Sequence, residues 1–278
     1  MAQGDKRNSK GNAGGNSRPG SGRNKKPSGS RQSVAAAREM SARQNRTQLI
    51  IGGIAIVVIV AIIVIGLVMN KKQNAVQGEG YGGSTQSVAT ATNGIVTVSR
   101  AGSAPTTSID LYEDALCPIC AEFEQQFGQQ VNQAIDDGKL AVNVHMLTFL
   151  NPQSFSKDYS TRAAAALLCV AQQDGSTPGV YLAFHSALFA TGTQPAEGGS
   201  SDLTNQQLAD LATKSGAPNA AGCITSGQNI DAAIAADTAS RASLSKATGG
   251  QVGTPTVVHN GAPLQLSVDW LTKLLAQG

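Results

Sequence analysis

Between Leu49 and Met69 the chain runs for 21 residues without a charge, a strongly polar side chain or a proline. At about 1.5 Å per residue, a helix over this run reaches roughly 30 Å, the thickness of a bilayer's hydrocarbon core. The run divides the chain into two parts of opposite charge. Residues 1–46 hold 11 of the 21 Lys and Arg but 2 of the 18 Asp and Glu. The formal net charge of +3 therefore hides +9 in this first part and −6 in the remainder. This split excludes a uniform soluble enzyme, and a single apolar run excludes a multi-span transporter. It also excludes a basic nucleic-acid-binding domain, because the basic charge sits where no core can form. No nucleic-acid partner is expected.

Residues 1–48 read as a disordered basic tail. Between Met1 and Val34 no apolar side chain is longer than Ala, too little to offset the entropy of ordering. Residues 49–69 read as one transmembrane helix that anchors the chain in the lipid bilayer. A cleaved signal peptide would have a shorter apolar region and a nearby small-residue cleavage site. Ala89-Thr90-Ala91 lies about 20 residues too far on, and no Cys follows the run to make a lipoprotein. Lys and Arg crowd the tail side, with only Lys71 and Lys72 just beyond the span. The positive-inside rule then puts the N-terminus in the cytoplasm and the bulk of the chain outside, as a single-pass cell-membrane protein. Residues 70–93, rich in Gly, Ser, Thr and Gln, read as a flexible linker.

Residues 94–278 are long enough for one good core. Ile95–Val98 is a β-branched run and a first strand, and Thr107–Tyr112 a second. A helix is expected from Pro118 to about Asp137, then a strand over Leu140–Leu147. Helical patterns follow over Thr161–Gln173 and Val180–Phe189. Thr204 with Gln207 forms a capping box for another helix, and Asn229–Thr248 closes on Gly249-Gly250. Thr256–His259 is a strand, Asn260-Gly261 a hairpin turn, and Val268–Ala276 a last helix. The outline is a layered α/β domain with a helical insertion over about residues 154–248.

The chemistry-bearing residues are four cysteines, all on the outer side of the span, where disulfides persist. Four cysteines allow three pairings. Cys117 and Cys120, in Cys117-Pro118-Ile119-Cys120, sit where a strand gives way to a helix. The first helical turn offers unpaired N–H groups and the positive end of the macrodipole, which favour a thiolate. Pro118 suits the first helical position. Cys117 can then attack a disulfide, or be attacked when oxidised, and Cys120 resolves the mixed disulfide. A structural disulfide over so short a loop would be a poor staple. Zinc needs four ligands, and His145, His185 and His259 are scattered, so no metal is expected. Cys169 and Cys223 read as a structural disulfide between two helices of the insertion, with free thiols or a second redox couple as the alternatives. Pro255, in Gly253-Thr254-Pro255-Thr256, stands oddly before a central-looking strand. A cis Thr254–Pro255 bond would account for it, but an ordinary trans proline at a strand start is the commoner case.

Four stretches together are similar to one known family. They are Asp110–Cys120, Ala121–Glu124, Tyr181–Phe189, and Gly253–Val258 with Asn260-Gly261. The outer domain resembles the DsbA-like thioredoxin-fold thiol:disulfide oxidoreductases in their membrane-anchored Gram-positive and actinobacterial form. The resemblance implies a thioredoxin-like α/β fold with Cys117 as the exposed nucleophile and Cys120 buried. It implies that Thr254–Pro255 is cis, lies beside the C-P-I-C, and presents the Thr254 backbone to an extended substrate. It likens Cys169 and Cys223 to the insertion disulfide of some members.

On this resemblance no cofactor is needed. The expected substrates are reduced exported proteins, and the expected partner is a quinone-linked membrane reoxidase of the DsbB or vitamin-K-epoxide-reductase (VKOR) type. The expected activity is that of an oxidase introducing disulfides, with a reductase or isomerase, or a non-catalytic binding module, as alternatives. Ile119 departs from the His of the best-known oxidases. Together with the negative charge of Glu113 and Asp114 near Cys117, it points to a milder oxidant. Asp114 is expected to pass a proton to Cys120 or to orient the strand end. His185 reads as a core or surface histidine.

Overall fold

The structure, a computed structural model, describes residues 78–277. The tail over 1–48, the span over 49–69 and the first part of the 70–93 linker lie outside the described residues. No helix among the described residues is long and apolar enough to cross a membrane.

Seven α-helices, six strands and two short 3-10 helices, Asn151–Gln153 and Pro218–Ala220, make up this region. In chain order they are β1 (Ser87–Thr92), β2 (Ile95–Arg100), β3 (Thr107–Glu113), α1 (Pro118–Asp136), β4 (Leu140–Met146), α2 (Tyr159–Gln173) and α3 (Val180–Leu188). They continue as α4 (Asn205–Lys214), α5 (Ala221–Ser226), α6 (Ile230–Thr248), β5 (Thr256–His259), β6 (Ala262–Pro263) and α7 (Trp270–Leu275). The strands form one sheet in the order β1-β2-β4-β3-β5-β6. Only β3 and β4 run parallel, with Leu111 opposite Val144 and Glu113 opposite Met146. α1 makes the crossover between them, as a parallel pair requires.

The β1 strand corrects the linker expectation. Ser87–Thr92 is not a tether: it pairs antiparallel with β2 along its whole length, Ser87 opposite Arg100 and Thr92 opposite Ile95. Its residues SVATAT have a linker's composition, but Val88 and Thr90 alternate with inward-facing Ser87 and Ala89 in a half-buried pattern. The two-residue turn is Asn93-Gly94, with φ of 51° and 78°, the type I′ chemistry that favours Asn-Gly. Asn260-Gly261 repeats it between β5 and β6, with φ of 51° and 76°. Gly94 is also sterically required, since a Cβ there would lie 2.4 Å from the Ala236 Cβ.

Alternate residues of the central strands serve two cores. Ile109, Leu111, Val142 and Val144 enter the large core with Phe123, Phe127, Leu167 and Trp270. Tyr112, Leu147, Leu244 and Val258 make a smaller core that includes α6. α7 returns to α1 through Trp270, whose ring meets Phe127 edge-on at 6.2 Å. The insertion is built as its caps foretell. Thr204 and Gln207 complete the capping box of α4, and α6 stops at Gly249 with φ of 72°. α5, a helix of six residues, had no separate signal in the sequence. It carries Cys223 to Cys169 on α2, and the two are disulfide-bonded with Cα atoms 5.8 Å apart. Closing a loop of this separation, 54 residues, stabilises by about 4 kcal/mol in the chain-entropy view.

Candidate active site

β3 ends at Glu113, and Asp114-Ala115-Leu116 turns the chain into α1. Cys117 is the residue that caps α1, with extended backbone (φ −72°, ψ 116°), and Pro118 is the first helical residue. Cys117 thereby sits at the positive end of a helix of 19 residues. Its carbonyl accepts from Cys120 and Ala121. Gln194, from the segment after α3, donates through Nε2 to the carbonyls of both Ala115 (3.1 Å) and Cys117 (3.0 Å). This amide holds the turn from the insertion side, and nothing local in the sequence points to it.

The two sulfurs occupy contrasting surroundings. Cys120 is fully enclosed, and burial foremost pushes its thiol well above the usual range, with Cys117 and Glu113 adding to the push. The Cys117 thiol is lowered, first by its hydrogen bond with Cys120, then by Thr254 and by the backbone N–H groups of Cys120 and Ile119, against the opposing effect of burial. Cys117 is not the exposed nucleophile of expectation. Only 6% of it is accessible, because the loop before β5 lies over it. The order of the pair nevertheless holds, with Cys120 at 0%. Pro118 is exposed and Ile119 half-buried, packed at the edge of the large core.

The covering loop contains the only cis peptide among the described residues, Thr254–Pro255, so the commoner trans form is not adopted. The Thr254 carbonyl lies 3.6 Å from the Cys117 Sγ. The Thr254 hydroxyl is buried without a partner.

Asp114 is held by three hydrogen-bond donors. Its Oδ1 accepts from the Leu116 N–H (3.0 Å) and the Ser160 hydroxyl (2.6 Å), and its Oδ2 from the Leu150 N–H (3.0 Å). Burial raises this carboxyl to about 6 in spite of those donors. Asp114 thus ties the active-site turn to α2 and to the loop after β4. Negative charge from Glu113 and Asp114 does not lift the Cys117 thiol as expected. Asp114 is engaged elsewhere, and Glu113 is itself pushed well above the carboxylate range, by burial first and then by Cys117.

His185 is a core histidine, but an incompletely satisfied one. Its Nε2 lies 2.9 Å from Glu113 Oε2 and its Nδ1 3.7 Å from Glu124 Oε2. These three residues are the one group of three possible metal-ligating side chains among the described residues. Two ligands on one tetrahedral metal stand about 3.3 Å apart at metal–ligand distances of about 2 Å. The His185–Glu113 contact is shorter than that and is a hydrogen bond between the two side chains. Glu124 lies four residues after Cys120, one helical turn on, so both share the inner face of α1.

The sequence profile of a family described as Thioredoxin matches residues 101–276. Serine/threonine-protein kinase PknE of Mycobacterium tuberculosis is 42% identical over 175 residues, which cover 62% of this chain. The chain spans 30% of the length of that kinase. Among solved structures, reduced DsbA from Mycobacterium tuberculosis is 31% identical with a TM-score of 0.55, over 69% of this chain and 91% of its own. Reduced DsbG, a disulfide bond oxidoreductase from the same organism, is 32% identical with a TM-score of 0.55, over 72% and 90%. MdbA, a thiol-disulfide oxidoreductase from Corynebacterium matruchotii, shares the fold at a TM-score of 0.61 and 23% identity, over 70% and 95%.

Proposed function

This chain belongs to the thioredoxin family, and from that membership we propose that it is a thiol:disulfide oxidoreductase acting as an oxidase of exported proteins. One observation carries the reading. At the start of α1 a thiol of lowered pKa, Cys117, is paired with a fully enclosed thiol of raised pKa, Cys120, under a cis-proline loop. A substrate thiolate attacks the Cys117 sulfur of the oxidised pair and displaces Cys120. A second substrate thiol then attacks the mixed disulfide, and Cys117 leaves as the thiolate that its surroundings favour. The substrate gains a disulfide and the enzyme is left reduced. The Thr254 carbonyl, 3.6 Å from the Cys117 sulfur, is placed to bind an extended substrate backbone by strand addition.

A reduced enzyme needs reoxidation, and a quinone-linked membrane protein of the DsbB or VKOR type supplies it. The apolar run over 49–69 anchors the chain in the membrane beside that partner, with the active site outside the cell. Reductase or isomerase action would use the same two sulfurs.

Cys120→Ala traps the intermediate. Expressed in cells, this variant should carry exported proteins on Cys117 as mixed disulfides, and Cys117→Ser should carry none. Absence of adducts from both variants would sink the oxidoreductase reading. A wild-type Cys117–Cys120 pair resting in the dithiol form would turn the assignment from oxidase to reductase.

A further inference from the structure

An anion at a helix start is stabilised only while the turn beneath it keeps the sulfur and the N–H groups in place. The turn from Asp114 to Cys117 is buried, with Ala115 and Leu116 at 0% exposure. Its polar groups therefore need partners inside the protein. Asp114 takes two of the N–H groups, that of Leu116 on Oδ1 (3.0 Å) and that of Cys117 on its carbonyl (2.9 Å). Gln194 takes two of the carbonyls, those of Ala115 (3.1 Å) and Cys117 (3.0 Å), both through Nε2. A side-chain amide carries two N–H donors on one nitrogen, so one residue serves both.

Gln194 lies 77 residues beyond Cys117 in the chain, and its own segment is fixed. The N–H groups of Thr193 and Gln194 both donate to the Ala190 carbonyl (3.0 and 3.1 Å). The Gly198 N–H donates to the carbonyl of Gln153 (2.8 Å), in the segment after β4. Leu150 of that same segment donates to Asp114 Oδ2 (3.0 Å). The segments after α3 and after β4 are thus bonded to each other and to one turn.

Given the reading of Cys117 and Cys120 as an exchanging pair, we propose that Gln194 is a positioning residue for Cys117, holding the turn in the arrangement from which the sulfur leaves as an anion. In the exchange a second substrate thiolate attacks the substrate sulfur of the mixed disulfide. An S–S bond forms within the substrate, the bond to Cys117 breaks, and its electron pair goes to the Cys117 sulfur. Gln194 bears on that charge in two ways. The Ala115 and Cys117 carbonyl oxygens carry negative partial charge within two residues of the sulfur, and an N–H on each offsets it. The Cys117 carbonyl also accepts from Cys120 (3.1 Å) and Ala121 (3.3 Å). Fixing it keeps the first helical turn, with its free N–H groups, aimed at the sulfur. Neither effect needs contact between Gln194 and the sulfur.

The test equilibrates the full-length protein with reduced and oxidised glutathione at pH 7. Gln194→Leu keeps the bulk and removes the donors. It should shift the equilibrium constant about fivefold toward oxidised enzyme, the net worth of about one hydrogen bond lost from the reduced form. Gln194→Glu, of the same size, turns acceptors toward two acceptors and should shift the constant further in the same direction. In both variants the pH midpoint for alkylation of reduced Cys117 by iodoacetamide should rise. A merely structural amide would stabilise oxidised and reduced protein alike. Thermal unfolding temperatures of both forms would then fall together, and the constant would keep its wild-type value. A constant that stays put or moves toward reduced enzyme in both variants would overturn the assignment, as would an unmoved alkylation midpoint. If Gln194→Leu does not fold, Gln194→Glu decides on the same two readouts. If the constant shifts but wild-type protein does not oxidise reduced exported proteins, the oxidase reading fails and the role of Gln194 stands.

Discussion

Ile119, between the two cysteines, sets how oxidising the pair is. Its side chain offers neither charge nor hydrogen bond to the Cys117 sulfur, so the thiolate depends on Cys120, Thr254 and the backbone N–H groups of Cys120 and of Ile119 itself. A thiolate so stabilised favours the reduced enzyme, but less than one that also has an imidazolium beside it. Ile119→His should therefore make the protein more oxidising. Its equilibrium constant with glutathione should move about tenfold or more toward reduced enzyme, as about 30 mV corresponds to tenfold for a two-electron couple. A redox titration that left the constant unchanged would show that the side chain at 119 does not reach the sulfur's field. At this scale much of the site was legible. Cys117, Pro118 and Cys120 declare themselves by spacing and by the strand-to-helix switch. Glu113, Glu124 and His185 do not. They lie up to 72 residues apart and become a unit only when α3 docks on α1 and β3.

At the scale of elements, Asp136 shows how one side chain fixes a segment with no secondary structure of its own. It sits at the end of α1 and accepts from the Tyr81 hydroxyl (2.8 Å), the Ser84 hydroxyl (2.5 Å), and the N–H groups of Thr85 (2.8 Å) and Gln86 (3.1 Å). Burial pushes its carboxyl up, but the donors outweigh burial and hold it below the usual range. A folded-state pKa below the unfolded one means stability that is present above about pH 4 and lost as pH falls through the folded value. Hydrogen exchange should report this. In Asp136→Ala the Thr85 and Gln86 amides should lose protection about tenfold or more at neutral pH. In wild type the same amides should lose it only in acid. Protection that did not change with either would assign the segment's order to the β1–β2 hairpin instead. That hairpin was half legible. Asn93-Gly94 carries the same turn chemistry as Asn260-Gly261, but the strand before it reads as linker because its residues are small and polar. Pairing with β2 made it a strand.

On the scale of the whole molecule, the sequence divides what the folded domain alone does not. The full chain should sediment with membranes and resist extraction by high salt, whereas residues 78–278 should remain in the soluble fraction with Cys117–Cys120 exchange intact. A full chain released by salt would remove the anchor over 49–69. The capping box of α4, the Asn-Gly turns and the redox motif followed from the sequence, because each depends on residues within a few positions of one another. The order β1-β2-β4-β3-β5-β6, the covering of Cys117 by the cis-proline loop, and the grouping of Glu113 and Glu124 around the His185 imidazole were decided by tertiary structure. These depend on which layers meet. Burial, which raises Glu113, Asp114 and Glu124 and keeps His185 neutral, has no meaning until the layers exclude water.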